Sequence, residues 1–121
     1  MAADVHTWFA WVAIWICAGS GLVALVYHVR KRALDLVFRG VVTLSVVAML
    51  IQISLGFIAF GQDLEPGSIH MFYGFVILLT FTFIYIYRIQ FEKRPALYWG
   101  LTLLFIAGLG IRGVLNFGQS F

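Results

Sequence analysis

The sequence predicts an all-α protein, an integral membrane four-helix up-down bundle with both termini outside. Three observations predict it. The chain of 121 residues is 63% hydrophobic and only 11% charged, where a soluble domain carries about a quarter charged residues. Its charges are clustered, leaving four stretches with no Lys, Arg, Asp or Glu: between Asp4 and His28, and across Gly40–Gln62, Met71–Tyr87 and Pro95–Ile111. Each stretch is roughly 17–23 residues long, close to the ~20 that a helix needs to cross the hydrocarbon. Backbone groups in lipid must pair within the segment, so each span is expected to be helical. The runs do not alternate in polarity, which excludes a transmembrane barrel.

The spans set one domain over 1–121, with helices at about 7–28, 39–61, 68–89 and 96–116. The first is too long and lacks the basic flank of a cleavable signal peptide; its basic cluster, "HVRKR", comes afterwards. The second follows "ALDLVFR". The third opens after "GQDLEPGS", where Pro66 and Gly67 make a tight turn. The fourth starts at Pro95, a position where a missing N–H costs little. Short linkers make neighbours antiparallel.

Seven of the eight Lys and Arg residues fall in the first and third loops, and the second loop carries Asp63 and Glu65 without a base. The positive-inside rule therefore puts the first and third loops in the cytoplasm. Trp8, Trp11, Tyr98 and Trp99 near span ends suit interfacial anchors. The formal charge of +3 is a matter of orientation and not of nucleic-acid binding. Cys17 is the single cysteine, so neither a disulfide framework nor a cysteine metal motif is present.

Membrane helices associate through small residues. Ala10, Ala13, Cys17, Gly21 and Ala24 on the first helix share one spacing with Ser45, Ala48, Gln52, Gly56 and Ala59 on the second. Both sets lie on one helical face. Gly100, Ala107 and Gly110 continue the theme on the fourth helix, whereas the third is bulky with Phe72, Tyr73, Phe75, Phe81, Phe83, Tyr85 and Tyr87. Small faces serve plain packing and a flat cofactor equally well.

Four polar residues stand out. His70 begins the third helix and His6 precedes the first, both on the outer side. In an up-down bundle those helices sit diagonally, roughly 14 Å apart for neighbour spacings of 8–10 Å. Two imidazoles there are candidate ligands of one haem iron; interfacial end-groups are the plainer reading. His28 is about 30 Å away by helix rise and belongs with the basic cluster. Gln52, about 20 Å inside from Arg39, needs a hydrogen-bond partner on a neighbouring helix or a ligand. Arg112 is the one outer base. Asp4, Asp63 and Glu65 are its ion-pair candidates, and a haem propionate or lipid phosphate also suits its fork. It aligns with Gly108 rather than with the Ala107–Gly110 stripe.

Ile51 to Arg88, "IQISLGFIAFGQDLEPGSIHMFYGFVILLTFTFIYIYR", resembles the Gln-x-x-x-Gly, outer loop, His pattern in half of the haem A synthase family, carried here by Gln52, Gly56 and His70. That resemblance implies haem b held by histidine pairs. The chain has one four-helix unit where that family has two, and no counterpart of its acidic catalytic residue. "HMFYGF", "YIYR" and "GLGIRG" are more similar to a group of small, uncharacterised four-span bacterial membrane proteins of actinobacterial type. This likeness implies a multi-pass protein of the bacterial plasma membrane and no particular activity.

No hydrolase, transferase or nucleotide motif occurs, and the middle of the bilayer holds no charge, which argues against a proton pump. The first functional expectation is a non-catalytic accessory or structural subunit of a larger membrane complex, of respiratory type. Its partners would be the lipid bilayer and other membrane subunits or further copies of itself. The alternative is a haem b protein for electron transfer or haem handling. In that reading His70 and His6 are the metal ligands, Arg112 lies near a propionate and Gln52 is close to the site. A carrier of small solutes or lipids is a third class, for which a cavity near Gln52 is the mark.

Overall fold

A computed structural model describes residues 2–62 and 65–120. The described residues are helical and contain no strand, in the order α1 (Ala2–Val29), α2 (Leu36–Gly61), α3 (Ser68–Ile86), α4 (Arg88–Phe91) and α5 (Pro95–Leu115). α1, α2, α3 and α5 are each long and apolar enough to cross a membrane.

Three boundaries differ from the sequence reading, each for a local reason. α1 starts at Ala2, not near residue 7, with Asp4 in its first turn, where a carboxylate offsets the positive end of the helix dipole. His6 therefore lies within the helix and not before it. α2 starts at Leu36 because Asp35, in extended conformation, accepts a hydrogen bond from the Phe38 N–H at 3.0 Å. That is the N-cap geometry, and the Tyr27 hydroxyl donates to the same carboxylate at 2.8 Å. The third span ends at Ile86 and the chain restarts as the single turn α4. Arg88 there donates to the Tyr85 carbonyl at 2.8 Å and stacks on the Tyr85 ring.

The core follows the small-residue stripes. Ala10, Ala13, Cys17, Gly21 and Ala24 are buried on α1, as are Ser45, Ala48, Gln52 and Ala59 on α2. The two stripes meet, with the Cys17 thiol on the Ser45 carbonyl and Tyr27 against Phe38. α5 also packs against α1, where Gly21 of the same stripe and Gly100 approach closely. A Cβ at Gly100 would lie 2.7 Å from Leu25 Cδ2 and 3.1 Å from the Gly21 oxygen. Leu103, Ile106 and Ala107 of α5 are buried.

α3 packs chiefly on α5, and α2 chiefly on α1. No substantial packing joins α2 to α3 among the described residues, so the bundle is open along that side. α3 buries a single residue, Ile77. Its N-terminal end is tied to the chain beyond α5, with Gly118 N–H donating to the Pro66 oxygen at 2.7 Å and Ile69 N–H to the Gln119 oxygen at 3.2 Å.

Candidate functional site: a histidine pair in an apolar cleft

The open side of the bundle is a cleft of about 670 Å³ between α2 and α3, floored by α1 and α5. This falls in the range of roughly 300–1,000 Å³ typical of ligand and cofactor sites. Ile14, Met49, Ile77 and Leu109 make its lining mostly apolar. It extends past Gln52 toward the middle of the helices.

His6 and His70 both line it. Their ring centres are 6.0 Å apart and their planes are at 90°. Both rings are half-buried. His6 Nδ1 lies 3.0 Å from the Gln52 carbonyl oxygen, and His70 Nδ1 lies 2.7 Å from the Gly113 carbonyl oxygen. A carbonyl only accepts, so in each neutral imidazole the proton sits on Nδ1 and the lone pair on Nε2. Neither Nε2 has a hydrogen-bond partner among the described residues. This is the arrangement metal-ligating histidines use, with the far ring nitrogen donating to a backbone carbonyl.

The supports come from α2, from α5 and from the chain just beyond α5. Gln52 holds His6 twice: its backbone oxygen takes the ring proton, and its side-chain Nε2 donates to the His6 carbonyl at 2.7 Å. Gln52 is only 7% exposed, and its Oε1 is buried without a hydrogen-bond partner among the described residues. Gly56, one turn later, leaves room for the ring, since a Cβ there would meet His6 Cε1 at 3.0 Å. On the other wall, Phe117 stands edge-on to His70 with 5.1 Å between ring centres.

Two sequence candidates lie elsewhere. Arg112 is exposed and does not line the cleft, whereas Leu109, Gly110 and Gly113 of the same helix do. It forms no ion pair among the described residues; of its expected partners, Asp63 lies outside them. His28 lies in a separate basic groove at the other end of the bundle. Sequence reasoning missed Gly113, which supplies the His70 acceptor, and Phe117, which covers it. Nothing in their spacing marked them, because both act through the α3–α5 contact.

The donor set suits haem. Metal–imidazole bonds of about 2 Å, as at zinc, with each ring's own radius added, put two imidazoles on opposite sides of one ion roughly 6 Å apart between centres. The His6–His70 spacing matches that, and the cleft offers an apolar slot beside the pair. The described residues hold no group of three or more His, Cys, Asp or Glu that could hold a metal ion. The chain matches no protein-family model, no curated protein and no solved structure.

Proposed function

We propose that the chain is a haem b-binding membrane protein of four spanning helices, with His6 and His70 as the two axial ligands, serving electron transfer or haem handling. One observation carries this: two histidines from different helices lie 6.0 Å apart between ring centres in an apolar cleft, each with its Nδ1 on a carbonyl oxygen. When bound, haem supplies reversible one-electron chemistry. The protein's part is to hold and insulate it. Both histidines would be committed to holding the group, which favours electron transfer over activation of a small ligand. The carbonyls of Gln52 and Gly113 fix the ring orientations and make both imidazoles better donors. Ile14, Met49 and Ile77 keep water from the site, and such burial tunes the potential.

The same reading takes the bundle as up-down. His6 meets Gln52, Cys17 meets Ser45 and Tyr27 meets Phe38, the pattern of antiparallel neighbours. With the basic loops on the cytoplasmic side of a bacterial plasma membrane, the histidine pair lies in the outer half and both termini are outside.

A second reading is compatible with the first. α3 exposes Phe72, Phe83 and Tyr85 away from the cleft lining, and these aromatic side chains support a place as a subunit of a larger membrane complex.

The test is a visible spectrum of the detergent-purified protein, oxidised and then dithionite-reduced. The proposal expects a sharp Soret band with reduced α and β bands, lost in His6→Ala and in His70→Ala. A colourless preparation from haem-replete cells overturns it.

A further inference from the structure

A second concavity lies at the opposite end of the bundle from the histidine pair. It is a groove of about 630 Å³ between the α1–α2 turn and the start of α5, lined by His28, Lys31, Arg32, Lys93 and Arg94. The fold brings these basic side chains together from two loops well separated in sequence, because α1 and α5 pack side by side.

Like charges gathered at one concave site repel, and no acid lines the groove. Asp35, beside it, accepts from the Phe38 N–H and the Tyr27 hydroxyl and forms an ion pair with Arg32 at 3.8 Å, which leaves Lys31, Lys93 and Arg94 without an ion pair among the described residues. Glu92 is exposed and does not line it either. Lys31 sharpens the point. It closes α1 in the left-handed conformation, φ 52°, with its N–H on the His28 oxygen and the Arg32 N–H on the Tyr27 oxygen. Glycine fills that position most readily, yet the chain puts a cation there.

We propose that this groove binds the head group of an anionic phospholipid. Arginine forks and lysine ammonium groups are the donors a phosphate takes. The groove also contains Val29 and Leu34, which offer an apolar shelf to the glycerol and upper acyl chain. It sits where α1 ends and α5 begins, at one end of two helices long and apolar enough to cross a membrane. Basic pockets between membrane helices bind anionic head groups in this way. The site is independent of the histidine pair and does not rest on haem binding.

The test uses the full chain in mild detergent. Its thermal unfolding midpoint is measured with phosphatidylglycerol, with phosphatidylcholine, or with inorganic phosphate, at equal phosphorus. Binding to the folded state alone raises the midpoint. The proposal expects a rise of several degrees with phosphatidylglycerol and none with phosphatidylcholine, shrinking as NaCl is added. The Lys31→Gln, Lys93→Gln, Arg94→Gln triple variant should lose that rise, while Arg112→Gln should keep it. An equal response to the two lipids, or a rise that survives in the triple variant, overturns the assignment. An equal rise with inorganic phosphate also overturns it, as the groove would then be a free-anion site. If the triple variant fails to fold, Lys31→Gln and Lys93→Gln are measured singly, and an undiminished rise in both overturns the proposal.

Discussion

His6 and His70 stand 6.0 Å apart between ring centres, with planes at 90°, although α1 and α3 share little other packing. Each ring is anchored on a third party: His6 on α2 through Gln52, and His70 on α5 through Gly113. The pair is therefore set by four helices at once, and its spacing responds to changes in any of them.

Gly56→Val tests that dependence on the α2 side. A Cβ at position 56 already presses on the His6 ring at 3.0 Å, and a branched side chain displaces it. The variant should fold and lose most of its Soret absorbance, as His6→Ala does. A native spectrum in Gly56→Val would mean that the ring does not need its present place.

Arg112→Ala should leave the visible spectrum unchanged, since the side chain is exposed and lies off the cleft. A shifted or weakened Soret band would restore the arginine to the site.

Gly100→Ala probes the α1–α5 seam. The added methyl would press on Leu25 and the Gly21 oxygen, and overpacking of this kind costs about 1–3 kcal/mol. Gly108→Ala is the control, because nothing lies within 4 Å of a Cβ there. Thermal unfolding in detergent should show a clear loss for the first and little change for the second.

Asp35 gives a pH dependence. The Phe38 N–H, and after it the Tyr27 hydroxyl, hold its carboxyl below the usual carboxylate range. A depressed folded value means that the ionised cap contributes fully above the unfolded value of about 3.9 and is lost as pH falls through the folded one. Asp35→Asn keeps a capping oxygen but cannot ionise. The unfolding midpoints of wild type and variant should differ at neutral pH and converge in acid. A gap of constant size across that range contradicts the assignment.

The spans were legible because hydropathy and charge clustering are properties of the chain alone. The small-residue faces of α1 and α2 were legible too, and Cys17 and Ser45 meet on them; that Gly21 of the same stripe meets α5 was not. Helix starts were less so: Asp35 reads as one charge among many until the turn places it beside the Phe38 N–H. Histidines 6 and 70 could be named from their positions, but their approach depends on α2 and α3 standing apart. No stripe announces a gap. Gly113 and Phe117 enter only through the folded α3–α5 contact, which spacing does not encode.

The most direct test is low-temperature electron paramagnetic resonance of the ferric protein. Two imidazoles holding one haem iron would give a low-spin signal. The account predicts that signal in the wild type, and its replacement by a high-spin signal or loss of haem in His6→Ala and in His70→Ala. A high-spin wild type, or a low-spin signal that survives either substitution, would contradict the histidine pair as the axial ligands.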